Sequence, residues 1–269
     1  MRNAILISSI LSSNETWYNI TEVEYRKLEQ TDEMLLKKIL NCSSQITHEV
    51  LYLELGLMPV RFIITLRRLI YLHHILKQKN KDTLLFRFFK AQMDNPSKND
   101  WVTGALQDLE KVNINMELFE IEQMSEERFK DVCKQNVKAL AFEYLNNKLK
   151  QRQNYLDVKY DNLKMATYLH EDLGYTVKEK QNLFQCRMND LDVKANRRWK
   201  YDDITCRSCK DQTKLETQQH VICCKSLVER TMKITYLPSY SELYSEDTEQ
   251  QMYTSMVLCE NVRLSQVPM

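Results

Sequence analysis

Glycine and proline are scarce in this sequence, three and four among 269 residues. Set against an abundance of Leu, Lys, Glu and Gln, that shortage points to an all-α chain with little strand signal. It also leaves no glycine-rich loop of the kind that cradles phosphates. Long apolar runs are missing too. The run Ala4-Ile-Leu-Ile-Ser-Ser-Ile-Leu11 is too short to span a bilayer and is followed by no small-residue cleavage site, so it reads as a core-packing helix. Net charge is almost absent, at +1. The expectation is therefore a protein of the nucleus or cytoplasm, neither secreted nor membrane-bound, and long enough for one large or two small domains with a real core. Three Asn-x-Ser/Thr triplets, at Asn14, Asn19 and Asn41, argue weakly the other way, and such triplets arise often by chance.

Cysteine is not scarce, and its placement is uneven. Four of the eight are scattered, and four cluster in Cys206-Arg-Ser-Cys209 and His220-Val-Ile-Cys-Cys224. A disulfide framework would spread its pairs through a smaller secreted chain, which favours a reducing compartment. Two thiols separated by two residues, then a histidine and another thiol, is the ligand spacing of a closed tetrahedral zinc site. The first pair turns two sulfurs toward one point, while His220 and Cys224, four apart, share a helix face. Cys223 competes with Cys224 for the fourth place. The polar stretch Lys210–Gln219 between the pairs has no core of its own and needs a staple. Scattered reduced cysteines are the competing reading.

The charges are segregated as well. Pro59 to Lys90 holds eight Lys or Arg against the single acid Asp82, and Ser239 to Glu260 holds five acids and no base. Such a split suggests a polyanion-facing surface and an acidic surface elsewhere, although charge runs are more commonly solvated helix faces. Along the chain, Thr21-Glu-Val-Glu24 is a capping box for a helix to about Leu40, with Tyr25, Leu28, Leu35, Leu36 and Ile39 on its buried stripe. Thr47 is expected to cap a short helix, His48 to Leu55, that Gly56 stops. Pro59 opens a helix to about Lys79. One face carries Phe62, Ile63, Leu66, Leu69, Ile70 and Leu76, and the other Arg61, Arg67, Arg68, Tyr71 and His74. His73 falls inside the apolar face, where it reads as a hydrogen-bonded core residue. Guanidinium forks match phosphate oxygens, so the arginine face is a candidate phosphate-binding surface. Asp82, Ser125 and the box Thr176-Val-Lys-Glu179 are expected to start further helices, and an acidic helix over about 246–265 closes the chain.

Several stretches taken in order carry a resemblance. They are Glu15-Thr-Trp-Tyr-Asn19, Leu51-Tyr-Leu-Glu-Leu-Gly-Leu-Met-Pro59 and Arg67-Arg-Leu-Ile-Tyr-Leu-His-His-Ile75, followed by Asn95-Pro-Ser-Lys-Asn-Asp-Trp101, Val193-Lys-Ala-Asn196 and Ile204-Thr-Cys-Arg-Ser-Cys209. They resemble the C-terminal region of the reverse transcriptase polyproteins of LINE-type, non-LTR retrotransposons, over nearly the whole chain. The resemblance implies thumb-end helices over 1–45, a helical linker over 46–175 with its basic helix at 59–79, a zinc-knuckle module over 176–233 and an acidic C-terminal helix over 234–269. It implies a structural zinc ion on Cys206, Cys209, His220 and Cys224, and RNA or DNA as partner, with fingers and palm upstream if encoded. Arg61, Arg67, Arg68, Lys77, Lys79 and Lys81 would hold phosphates. Arg197, Arg198, Trp199, Lys200, Arg207 and Lys210 would add stacking and charge at the knuckle.

One departure from that family is an absence. Nucleotidyl transfer needs aspartates holding two metal ions in a Tyr/Phe-x-Asp-Asp hairpin, with a third upstream. The one Asp-Asp pair lies in Lys200-Tyr-Asp-Asp203, where lysine fills the aromatic slot, and Asp202 and Asp203 read as solvated turn residues. The chain by itself is therefore expected not to copy RNA, and no endonuclease cluster is present. A zinc hydrolase is a poor fit, since four protein ligands leave no position for water. The alternative from another class is a helical scaffold in which zinc only closes the fold and the acidic helix meets a protein partner. No small-molecule substrate is implied.

Overall fold

A computed structural model of the chain describes residues 2–151, 159–197, 200–209, 213–228 and 238–266. The described residues form helices and short helical turns, with a single isolated antiparallel bridge between Thr205 and Leu215. The all-α expectation holds. None of the described helices is long and apolar enough to cross a membrane. The chain divides into two compact units. The first takes residues 2–36, 48–151 and 159–164, and the second takes the described residues of 37–47 and 165–266. Residues 37–45 and 165–175 fall with the C-terminal half in this division.

In the first unit, a helical turn at Asn3–Ile10 buries Leu6 and leads to the buried Leu11. The box before α1 (Glu22–Leu40) is formed, with the Glu24 amide donating to Thr21 Oγ1 at 3.3 Å and the Thr21 amide to Glu24 Oε2 at 2.7 Å. Helix α2 (His48–Leu55) stops at Gly56, whose φ of 62° is the left-handed value that glycine adopts without strain. The Leu57 amide then closes back on Tyr52 O at 2.9 Å, as in a Schellman stop. Thr47 does not cap this helix: its buried hydroxyl finds no hydrogen-bond partner among the described residues.

Helix α3 (Val60–Leu76) is the spine of this unit, with α4 (Leu84–Asp94), α5 (Trp101–Lys111), α6 (Leu118–Gln123), α7 (Glu126–Lys150) and the turn Asn14–Thr16 all packed on it. It is shorter than expected. Pro59 is its N-cap rather than its first residue, and Lys77 its C-cap. Because neighbours surround it, the buried surface is wider than one stripe. Val60, Ile64, Leu72 and Ile75 are buried with Phe62 and Leu69, while Ile63, Leu66 and Ile70 are only half-buried. His73 is a core histidine, as expected. It is 2 % exposed, stacks on Phe129 at 4.9 Å, and has Nε2 at 3.1 Å from Met124 O. Helix α4 is capped by Thr83, which accepts from the Phe86 amide at 3.3 Å, and not by Asp82. Asp100 and Ser125 cap α5 and α7.

The arginine face is the principal correction. Arg68 is 6 % exposed, and its Nη1 donates to Asp108 Oδ2 at 2.8 Å. Arg61 forks onto Glu29 at 2.6 and 2.9 Å and onto Glu22 at 3.0 and 3.2 Å. Arg67 donates to Leu11 O and Asn14 Oδ1, both at 2.7 Å. Near the chain start, Arg2 is bidentate to Asp32, which also accepts from the Tyr52 hydroxyl at 2.6 Å. A low-dielectric interior accepts a guanidinium only beside a carboxylate, and Glu29, Asp32 and Asp108 supply that charge.

The second unit is built on α8 (Val177–Arg187) and α11 (Thr248–Ser265). The turn Tyr240–Tyr244 packs on both, and α9 (Gln218–Cys223) and α10 (Lys225–Val228) rest on α11. Thr176 and Glu179 form the expected capping box. Helix α11 carries the expected acids at its start, yet its body is core: Met252, Val257, Leu258 and Val262 are buried, with Thr254, Ser255 and Asn261 among them. It is less an acidic appendage than the central strut of this unit.

Breaking a buried ion pair strands one charge, which typically costs about 3–5 kcal/mol. Burial pushes the Asp108 carboxyl above its usual range even with Arg68 and Lys111 beside it, so this pair is only partly compensated. Arg68→Ala is therefore expected to lower the urea midpoint by a loss of about 3–5 kcal/mol, and Arg68→Met with Asp108→Leu by much less. Equal losses for the single and double variants would show that packing rather than charge holds the site.

Candidate metal centre

The metal group is assembled by a short ribbon and a helix. The Cys206 amide donates to Lys214 O at 2.8 Å and the Glu216 amide to Ile204 O at 2.9 Å, around the Thr205–Leu215 bridge. That ribbon holds Cys206. Thr217 then caps α9 by accepting from the His220 amide at 3.0 Å, and Cys224 follows as the C-cap of α9 in extended backbone. The ligand atoms of Cys206, His220 and Cys224 all lie within 4.8 Å of one another, and these three residues could hold a metal ion. Cys206 and Cys224 are buried and their sulfurs are 3.9 Å apart. Metal–sulfur bonds of about 2.3 Å at a tetrahedral ion put two sulfurs about 3.8 Å apart, so the pair fits such an ion.

Burial pushes the Cys224 thiol up to about 12, with the charge of Cys206 adding to it and that of Cys209 a smaller part. A bound cation would reverse that balance, because it deprotonates a coordinating thiol outright. Cys209 is half-buried and stands outside the three-residue group. Cys223 is exposed, and its thiol donates back along α9 to Gln219 O at 3.3 Å and His220 O at 3.5 Å. Of the two adjacent thiols, Cys224 is the one that joins the group.

Behind the ribbon stands a polar cluster that reading the sequence missed. Glu216 is wholly buried and accepts from the Arg207 amide at 2.9 Å, the Lys194 amide at 3.1 Å and, bidentate, the Arg207 guanidinium. Gln218 accepts from the Leu191 amide at 3.2 Å and donates to Cys186 O at 2.9 Å, and Asn196 donates to Leu191 O at 3.0 Å. The loop between the cysteine pairs is thus organised by Glu216 as well as by any ion. The available signal was an acid, Glu216, two residues before the helix that carries His220.

The cations expected at the knuckle are largely in use. Arg197 pairs with Asp190 at 3.1 Å and donates to Asp190 O at 2.7 Å, and Arg207 is held by Glu216. Lys200 is exposed, 3.8 Å from Asp192 and 5.4 Å from the Tyr201 ring centre. Arg198, Trp199 and Lys210 lie outside the described residues. In the first unit, Lys77 and Lys79 are exposed, and Lys81 pairs with Glu122 at 3.0 Å while lying over the Phe86 ring. Of the cations expected to bind, the structure therefore leaves lysines, rather than the described arginines, facing solvent.

No protein-family model, curated protein or solved structure matches this chain.

Asp203 sits at the entrance to the ribbon as an exposed turn residue. It accepts from the Thr205 amide at 2.8 Å, from Thr205 Oγ1 at 2.7 Å and from Lys194 Nζ at 3.2 Å. Those bonds, the Thr205 amide first, hold its carboxyl down at about 2. A carboxyl depressed by folding favours the folded turn above its unfolded value, and that contribution is lost as the pH falls through the folded value. The Thr205 amide resonance is therefore expected to hold its folded position down to about pH 3 and to move only near pH 2, which a pH-dependent NMR titration would read. A transition centred at the ordinary aspartate value would show that the turn does not hold Asp203.

Proposed function

We propose that this chain is the linker and zinc-knuckle end of a non-LTR retrotransposon reverse transcriptase, a nucleic-acid-binding module whose fold is closed by a structural zinc ion. The observation that carries the reading is the convergence of Cys206, His220 and Cys224, residues 18 apart at their extremes, at the spacing that the resemblance assigns to a knuckle. Cys209 is the fourth ligand in this reading, drawn in when the ion binds. Soft thiolates with one imidazole select zinc among the common divalent ions. Four protein ligands make the ion structural, so its part is to hold α9 against the ribbon. The module presents cations to a phosphate backbone and performs no polymerisation by itself: Asp203 is tied to Thr205 and Lys194 in a turn, and Asp202 has no carboxylate partner of the palm type in the sequence.

A second reading is favoured by one specific observation. Arg61, Arg67, Arg68, Arg197 and Arg207 are all engaged within the fold, which leaves fewer cations for phosphates than the sequence suggested. On that reading the chain is a zinc-closed helical scaffold for a protein partner.

Two measurements separate these. Elemental analysis of the reduced, purified chain is expected to find one zinc ion per chain, absent from Cys206→Ser. Since structural zinc contributes on the order of 10–16 kcal/mol at neutral pH, a chelator should unfold the second unit. Zinc-free, fully folded protein would sink the metal assignment. Binding to single-stranded RNA and duplex DNA across a salt series then tests the partner. Each phosphate contact contributes a slope of about −0.9 in log K against log salt on duplex DNA, so Lys77→Ala with Lys79→Ala is expected to flatten the slope by about 1.8. No affinity at low salt would select the scaffold.

A further inference from the structure

Two thiols that the proposed function does not use lie against one another inside the second unit. Cys186 comes from the last turn of α8 and Cys259 from α11, and their sulfurs are 3.7 Å apart. Cys186 is wholly buried, whereas Cys259 is partly open to solvent. The remaining surroundings of Cys186 are protein, including Ser255 O at 3.8 Å from its sulfur. Helices α8 and α11 pack on one another, so the elements that would carry a cross-link are already neighbours. A disulfide needs its sulfurs at about 2.05 Å, a closure of about 1.7 Å from the 3.7 Å found here.

We propose that Cys186 and Cys259 form an oxidisable pair that closes into a disulfide between α8 and α11 when the chain meets a peroxide. The two cysteines have different parts. Cys259 is the one that a small oxidant can reach, and the hydrogen bond from Cys186 holds its thiol below the ordinary range, with Lys178 adding to that. Burial pushes the Cys186 thiol well up, which keeps it protonated until its partner has reacted. The thiolate is the nucleophile, so Cys259 reacts first.

In the first step the Cys259 thiolate attacks one oxygen of the peroxide. The O–O bond breaks, an S–O bond forms, and the departing hydroxide takes a proton to become water, leaving a sulfenic acid. In the second step the Cys186 sulfur attacks the Cys259 sulfur. The S–O bond breaks, the S–S bond forms, and the leaving hydroxide takes the Cys186 proton as a second water. Two thiols lose two electrons and the peroxide gains them.

The cross-link would act on the metal centre from behind. Asn261, two residues along α11 from Cys259, donates to Val221 O of α9 at 3.2 Å, and α9 carries His220. Tying α11 to α8 stiffens the frame on which α9 stands without consuming a ligand thiol.

The test uses the full chain loaded with zinc, so that the ligand thiols are shielded. It is treated with hydrogen peroxide, then denatured, alkylated and mapped by peptide mass. Expected are a loss of two hydrogens, one cross-linked peptide pair containing Cys186 and Cys259, loss of alkylation at both, unchanged metal content and reversal by dithiothreitol. Cys186→Ala, which also removes the hydrogen bond that lowers the Cys259 thiol, is expected to react more slowly and to stop at a sulfenic acid on Cys259, trapped by a 1,3-diketone. Recovery of Cys186 and Cys259 both alkylated after peroxide treatment would overturn the proposal, as would cross-links joining either one to another cysteine. Mapping of the unmutated chain decides the matter even if the variant fails to fold. Metal content is read separately, so the zinc reading can fail while the thiol pair stands.

Discussion

A guanidinium enters a protein interior only with its counter-charge, and the first unit is arranged around that constraint. Arg68 lies on the helix against which α4, α5, α6 and α7 pack, and it is buried because Asp108 of α5 meets it at 2.8 Å. Arg61 is spread between Glu29 and Glu22 of α1, and its guanidinium stands over the rings of Tyr25 and Tyr144 at 5.2 and 5.1 Å. Each pair ties α3 to a different element. Buried pairs of this kind add little net stability over apolar packing, and what they contribute here is register, since one helix turn of slippage would strand a charge.

The second unit answers the same constraint with a different device. The segment between its cysteine pairs is polar in sequence, and Glu216 ties down its described end by accepting from two backbone amides and one guanidinium. The ribbon thereby brings Cys206 to Cys224 through hydrogen bonds, so the ligand atoms are held close by protein contacts. A metal ion would complete an arrangement that the ribbon and the Thr217 cap already favour. This is the ordinary division between a ligand set and the outer hydrogen bonds that orient it.

These two devices bear on function in opposite directions. The Cys206, His220 and Cys224 group fits the reading of a zinc-closed module, while the buried arginines remove the surface that would most directly have held a phosphate backbone. Nucleic-acid contact in the proposed reading falls to lysines, which act as point charges without the forked geometry of arginine. Sequence-independent, salt-sensitive binding is the behaviour such a surface supports.

The sequence by itself determined the helical class, the capping boxes at Thr21 and Thr176, the glycine stop at Gly56, the core position of His73 and the clustering of thiols with His220. The boxes, the glycine stop and the place of His73 rest on spacing within a few residues, where 3.6-residue periodicity and turn chemistry act locally. The helical class rests on composition, and the thiol group on ligand spacing over 18 residues. Part of the arginine burial was also legible. Glu29 and Asp32 lie on the same stripe of α1 as Tyr25 and Leu36, a position for acids that calls for buried partners. Only the tertiary structure decided that those partners are Arg61 and Arg2, that Asp108 takes Arg68, that Glu216 takes Arg207 beside the Cys206 ribbon, and that the acidic-looking α11 is a core helix. The reason is physical. Whether a charge faces water or a counter-charge depends on residues 30 to 40 positions away in the chain, and no local period records which of them the fold brings within 3 Å.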